Sequence, residues 1–291
     1  SERNKHFMEY VIYHKDCNDG FGAAWCFYQN YKERGELNQV EFIPTVYGSP
    51  PLGKITKGDL LYIVDFSYPK EVLLDICRKG VGICLLDHHK TSYEDLKGFS
   101  FEGFNFLPII IFDMQRSGAM MAWDYLYPED EAPDLIKYIQ DRDIWKFNLP
   151  YSKEYHAALS SYPRDFAVWD ELAGLPSSEL IKQGEHILRF VNQQIIHLCS
   201  KAQLTNFMDQ GEYEVPVVNT PLYQSELGDE LCRKYKTPFS AMYYNIGNKR
   251  RWSLRSIGDF DVGLLAKKFE NGGGHKNAAG FEEELGVQNT L

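Results

Sequence analysis

The stretch Leu85–Thr91, LLDHHKT, decides how the rest of the chain is read. It closes an apolar, strand-like run that begins at Gly82 and breaks off in Asp87, His88 and His89. Strand residues point alternately to opposite faces, and in an open α/β sheet ligands gather beyond the strand ends. A carboxylate beside two imidazoles suits Mn²⁺, Zn²⁺ or Fe²⁺ better than Ca²⁺. A lone Asp-His-His is equally well read as a polar strand end whose histidines make hydrogen bonds. The choice rests on whether other strand ends repeat the pattern.

Working outward, they do. The run EYVIYH ends in His14 and continues through Lys15, Asp16, Cys17, Asn18 and Asp19, with Gly20 and Gly22 allowing a tight bend. The competing reading is an acidic loop with Asp19 capping a helix. LLYIVDF is apolar until Asp65, a carboxylate costly to bury unless paired or bound to a metal; a cap for the helix after Pro69 is the alternative. YIQDRDIWKF places Asp141 and Asp143 at the end of a helical segment, where a plain polar patch is the stronger alternative. Coincidence across all these segments is far rarer than at any one. Such a set suits two-metal phosphoester hydrolysis, in which ions about 3.5–4 Å apart activate water and stabilise phosphoryl charge.

The intervening pattern supplies a frame for these ends. Strands are expected at Tyr10–His14, Val40–Tyr47, Leu60–Phe66, Gly82–Leu86 and Phe104–Phe112, with helices at Gly22–Lys32 and Lys70–Lys79. This alternation predicts an α/β fold, a doubly wound and mainly parallel sheet. Helical segments follow at Ser117–Leu126, Asp134–Asp141, 153–160 and 165–173. A long helix over 177–203 is expected to link a first domain, 1–176, to a smaller α+β domain, 204–291. There the expected elements are strands Thr205–Asp209 and Val215–Asn219, a helix Ser225–Tyr235, and a hairpin Phe239–Ile246 with Arg251–Ile257. A helix Val262–Phe269 then leads into Gly272-Gly273-Gly274-His275.

The chain has 291 residues, long for one domain and comfortable for two, with 44% hydrophobic and 25% charged residues as in ordinary globular proteins. Its net charge of −10 argues against a grip on long nucleic acid, which calls for a basic stripe; a nucleotide substrate would be short. Six cysteines without a C-x-x-C pair read as free thiols in a reducing compartment, hence a cytoplasmic protein. No apolar run reaches the roughly 20 residues that span a bilayer, so no membrane partner is expected.

In their order along the chain these residues resemble the DHH phosphoesterase family, RecJ-like or nano-RNase-like. His14 to Gly20 is similar to its first motif, Asp65 to the second, Asp87-His88-His89 to the third and Asp143 to the fourth. SLRS at 253–256 and GGGHKNAAG at 272–280 resemble its associated substrate-binding domain. The resemblance implies two ions, Mn²⁺ foremost with Mg²⁺, Co²⁺ or Zn²⁺ as alternatives. Asp65 would bridge them, Asp19, His88 and Asp143 would complete one site, and His14 would serve the other. Asp87 and His89 would support the ligands or face substrate. Arg255, Ser256, Gly273, Gly274 and His275 would hold substrate phosphate, the amides of Gly272–Gly274 as an anion nest with a plain flexible turn as the alternative, and the active site would lie between the domains. The implied activity is exonucleolytic hydrolysis of dinucleotides or short oligonucleotides. Alternatives are a phosphatase of a 3′,5′-bisphosphate nucleotide, a cyclic-dinucleotide or polyphosphate hydrolase, and a nucleotide-binding protein with a degraded first metal site. One departure stands out: the family's first motif carries two aspartates one residue apart, whereas this register reads Cys17-Asn18-Asp19. Cys17 or the displaced Asp16 is therefore a further candidate ligand, beside a buried, inert Cys17.

Overall fold

The computed structural model describes residues 7–98, 100–104, 107–207 and 213–286. Five short apolar runs, β1 (Glu9–His14), β2 (Val40–Thr45), β3 (Leu60–Val64), β4 (Gly82–Asp87) and β5 (Ile109–Phe112), form one sheet in the order β2-β1-β3-β4-β5, every pairing parallel. The two-residue period of the strands divides their side chains between two cores. Val11, Val64, Cys84 and Leu86 face one side, where α1 (Asn18–Arg34), α4 (Gly118–Leu126), α5 (Asp134–Asp143) and α7 (Phe166–Ala173) pack around the fully buried Trp169. Tyr10, Ile12, Ile63 and Leu85 face the other, covered by Leu73, Leu74, Ile76 and Cys77 of α2 (Lys70–Arg78) and by Leu96 of α3 (Lys90–Leu96). Each such aliphatic side chain withdrawn from water stabilises the fold by about 1.5–3 kcal/mol.

Because all five strands run the same way, their carboxyl ends share one edge. From β1 the chain goes to β2 on one side and then returns to β3 on the other, so the strand order reverses between β1 and β3. Ligands of open α/β sheets lie at such a reversal, outside the strand ends. His14 ends β1, and Asp65 immediately follows β3.

The chain divides into two compact units, Ser1–Leu188 and Arg189–Leu291, and the division falls inside α8 (Ser177–Cys199). Leu180 of α8 joins the first unit's core, whereas Ile195 and Cys199 join a cluster with Val218, Leu227, Leu231 and Met242 of the second. α6 (Ser152–Ser160) completes the first unit. The second is a six-stranded mixed sheet in the order β10-β11-β9-β8-β7-β6. Its strands are β6 (Gln203–Asn206), β7 (Glu214–Asn219), β8 (Phe239–Ile246), β9 (Lys249–Ser256), β10 (Glu270–Gly274) and β11 (Ala278–Glu284), with helices α9 (Gln224–Tyr235) and α10 (Val262–Ala266). The fold class expected from the pattern is the one observed.

Several boundaries move for physical reasons. The strand expected at Phe104–Phe112 is only β5, and residues 105 and 106 of that expectation lie outside the described residues, as do 208 and 209 of Thr205–Asp209. The glycine run 272–274 is not a turn but an edge strand: Gly274 pairs with Ala279 and adopts φ 141°, and a Cβ there would lie 2.8 Å from the Ala279 Cα. That strand begins at Glu270, so the helix expected to reach Phe269 stops at Ala266. Among the described residues, no helix is long and apolar enough to cross a membrane.

Candidate metal centre

The loop after β1 is shaped by Cys17, which caps α1: its Sγ accepts the Gly20 N–H at 3.1 Å. A Cβ on Gly20 would collide with the His14 carbonyl, so glycine lets the helix start close against the strand end. Helix α1 therefore starts at Asn18, earlier than its apolar periodicity alone suggests, and Asp19 lies buried in its first turn. Both Asp19 carboxylate oxygens accept N–H groups from the start of α4, Gly118 at 2.7 Å and Ala119 at 2.8 Å. A helix N-terminus favours that negative charge.

Asp65 is 2% exposed and adopts φ 52°, a left-handed conformation that aspartate tolerates better than most residues. Strain of this kind gathers at functional sites. Its Oδ1 lies 3.0 Å from His88 Nε2, while Oδ2 lies 3.7 Å from His14 Nδ1 and accepts from Cys17 Sγ at 3.2 Å. His88 Nε2 is also 3.3 Å from Asp19 Oδ2 and 3.6 Å from Asp143 Oδ2. Asp87 Oδ1 accepts the His88 amide at 2.8 Å and lies 2.6 Å from His89 Nδ1, which fixes the His89 ring. Asp87 Oδ2 is buried without a hydrogen-bond partner.

These side chains fall into three sets of donors, each within 4.8 Å of one another: His14, Cys17 and Asp65; Asp19, His88 and Asp143; Asp65, Asp87 and His89. Asp65 belongs to two of them and touches the third through His88. Burial opposes its ionisation, but hydrogen bonds from His14 and His88 hold its carboxyl well below the usual range. Burial likewise opposes charge on His88, yet Asp19 and Asp65 raise it well above an ordinary imidazole. For Asp143 burial, then the Asp19 charge, outweigh the opposing charges of His88 and Arg142 and push it up to about 7. Carboxylates crowded onto one imidazole, with an orphaned Asp87 oxygen beside them, are a donor set that fits divalent cations.

A proton on Asp143 must leave before that oxygen can hold an ion. Divalent-ion affinity is therefore expected to climb with pH through about 7, with proton release on binding that fades above it. Calorimetry in buffers of different ionisation enthalpy reads this directly; a pH-independent affinity would remove Asp143 from the site. The sign for stability is opposite. A carboxyl raised in the fold stabilises the metal-free protein at low pH, and this contribution is lost as pH rises from 3.8 through about 7.

Among the other candidates, Asp16 turns away: its side chain is 74% exposed and pairs with Lys15 at 3.9 Å, so the displaced aspartate does not replace the missing one. Cys17 points inward instead. Asp141 is structural, its two oxygens accepting the amides of Asn148 and Leu149 and so shaping the loop after α5. In the second unit, Arg255 is fixed by Ser253 Oγ at 2.8 Å, the Leu254 carbonyl at 2.8 Å and Ser225 Oγ at 3.0 Å. Ser256, next along β9, points to the opposite sheet face, donates to the Phe260 carbonyl at 2.7 Å and accepts from Asn277 Nδ2 at 2.9 Å. It ties loops together and cannot share a phosphate with the Arg255 side chain. The His275 amide donates to Ala278 and the Gly272 amide to Phe269, so the expected nest of free amides is largely taken up by the chain itself.

Residues not singled out by sequence complete the setting. Tyr47, just past β2, packs edge-on against His14 at 5.7 Å and His89 at 5.8 Å. Gly228 of α9 leaves room for the Arg255 stem, whose Cβ a substituent there would meet at 2.6 Å. A glycine inside an amphipathic helix was the available signal for that approach.

A DHHA1 domain model matches residues 224–287. An uncharacterized protein of Acanthamoeba polyphaga mimivirus is 28% identical over 309 residues, covering 96% of this chain and 68% of that protein. The structure of an exopolyphosphatase-related protein from Bacteroides fragilis aligns over 98% of this chain and 88% of its own, at 16% identity and a TM-score of 0.51, a likeness of fold. RecJ from Thermus thermophilus in complex with Mn²⁺ aligns over 94% of this chain and 49% of its own, at 13% identity and a TM-score of 0.46. The DHHA1 domain in its second unit, beside the ordered His and Asp motifs at one sheet edge of its first, makes the chain similar to the DHH-family phosphoesterases.

Proposed function

We propose that the protein is a DHH-family phosphoesterase that cleaves phosphodiester bonds in dinucleotides and short oligonucleotides, releasing mononucleotides, with two divalent ions, Mn²⁺ foremost, as cofactors. His14, Cys17 and Asp65 would hold one ion and Asp19, His88, Asp143 and Asp65 the other, the two Asp65 oxygens facing separate sets. Bound ions supply activation of water and stabilisation of charge on the phosphoryl oxygens. The chain's own part is to position and to move protons. Asp87 engages His89 through Nδ1 and, against the effect of burial, raises its pKa, which fixes the ring beside the donor sets and favours its protonated form. In the second unit, Arg255 and His275 are the phosphate-holding residues of this reading.

The observation that favours a nucleotide over a bare polyphosphate is the aromatic shelf two residues beyond Asp143. Trp145 is 37% exposed, meets Phe147 edge-on at 4.8 Å and lies under Arg142 at 5.0 Å. Both aromatic residues adopt left-handed backbone, φ 58° and 51°, a conformation uncommon for bulky side chains. Asp141 helps hold the loop that displays them. Base stacking on such a ring contributes about 1–3 kcal/mol per base, whereas inorganic phosphate chains offer nothing to stack. A panel of bisphosphonucleotide, dinucleotide, short and long oligonucleotides and polyphosphate, assayed with Mn²⁺, tests the reading. Short oligonucleotides should give the highest kcat/KM. Trp145→Ala should raise their KM by roughly fivefold or more without altering residual polyphosphate turnover. Preference for polyphosphate, with the variant indistinguishable from wild type, would defeat the proposal.

A further inference from the structure

We propose that Cys17 is a thiolate ligand that makes the two ion sites chemically unequal, the first selecting a borderline ion such as Zn²⁺ or Fe²⁺ over Mn²⁺ or Mg²⁺. The inference rests on the two-ion reading above and goes beyond it by assigning different ions to the two sites. Its support is geometric. Cys17 Sγ, His14 Nδ1 and Asp65 Oδ2 form a triangle with edges of 3.6 Å, 3.2 Å and 3.7 Å. Metal bonds of about 2.0–2.3 Å in a tetrahedron set ligands roughly 3.3–3.8 Å apart. The observed edges fall within a few tenths of an ångström of that range. One carboxylate, one imidazole and one thiolate, with a fourth position left for water or substrate, is the pattern of a reactive rather than a closed site.

A helix cap alone does not explain the sulfur. Serine, threonine, aspartate and asparagine all cap better, and the Gly20 amide engages only one side of the atom while His14 and Asp65 occupy another. The second set, Asp19, His88 and Asp143 with Asp65 Oδ1, is rich in oxygen and suits Mn²⁺ or Mg²⁺. Thiolate shifts preference toward softer ions. On coordination the S–H bond breaks, its proton passes to solvent, and the sulfur electron pair forms the bond to the ion.

The test uses the full chain, stripped of metal and titrated with Co²⁺ as a spectroscopic probe. Sulfur ligation gives an intense near-ultraviolet sulfur-to-cobalt charge-transfer band, and the expected result is that band in the wild type. Cys17→Ser preserves the helix cap and should fold and melt like wild type, yet lose the band. Cys17→Asp restores an oxygen donor and should shift the competition between Zn²⁺ and Mn²⁺ toward Mn²⁺ by about tenfold or more, read as metal content after equilibration with both ions. No band with cobalt bound, a band that persists in Cys17→Ser, or unchanged ion competition in Cys17→Asp would each overturn the proposal. Turnover is read separately: a band without hydrolysis of any nucleotide leaves the thiolate ligand standing and defeats the proposed function instead.

Discussion

Asp65→Asn is expected to lower kcat/KM by more than about 100-fold, beyond what losing a ligand-supporting hydrogen bond costs, while the protein stays folded. Asparagine is the informative replacement. It keeps the volume and tolerates the left-handed backbone at φ 52°, whereas alanine would add strain to the loss of charge. What disappears is the anionic oxygen pair that faces both donor sets, Oδ2 toward His14 and Cys17, and Oδ1 toward His88. His88 would then sit between Asp19 and Asp143 alone, and His14 would lose the carboxylate that orients it. The expected readout is a melting curve close to wild type, fewer than two bound ions and no measurable turnover. A variant that keeps both ions and its rate would show that Asp65 is a structural carboxylate and that the chemistry lies elsewhere.

The parts of this site that could be read from the sequence are those set by strand ends. An apolar run buried on both faces that stops at a carboxylate or histidine declares where the sheet edge is, and His14, Asp65 and Asp87 followed from that. Backbone conformation was hidden. Asp16 and Cys17 are neighbours, and composition favours the aspartate as a ligand, but Asp16 takes φ 62° and faces solvent while the thiol turns inward. The glycine run misled for a related reason: glycines permit a nest or a close strand pairing equally, and the contact with Ala279 that decides between them involves a residue on another strand. Contacts distant in sequence were hidden too. Tyr47 against His14 and His89, Ser225 beside Arg255, and the α4 amides on Asp19 depend on tertiary packing that no local spacing encodes. Ser256 was misplaced because the SLRS signature was read as a unit, although strand alternation sends its last two side chains to opposite faces.

Gly118→Ala should damage the centre nearly as much as losing a ligand, although Gly118 binds nothing through a side chain. Two effects oppose each other. Alanine is the better helix former by up to about 1 kcal/mol, but Gly118 is the first residue of α4, where little of that gain applies. Against it, the new Cβ would lie 2.5 Å from the Asp65 Cβ and 3.1 Å from its Cα. Neither atom belongs to the free end of a flexible side chain, and both are held by the left-handed turn at the end of β3. Overpacking of this kind costs about 1–3 kcal/mol, so the clash wins. The helix start must retreat, and with it go the Gly118 and Ala119 amides that fix Asp19 at 2.7 Å and 2.8 Å. The expected outcome is a lower Tm, weakened binding of the ion that Asp19, His88 and Asp143 are proposed to hold, and a fall in kcat rather than a change in KM. Gly53→Ala is the control, since a Cβ there meets nothing within 4 Å, and it should melt and turn over like wild type. If Gly118→Ala does the same, the close seating of α4 against Asp65 is not what holds the centre together.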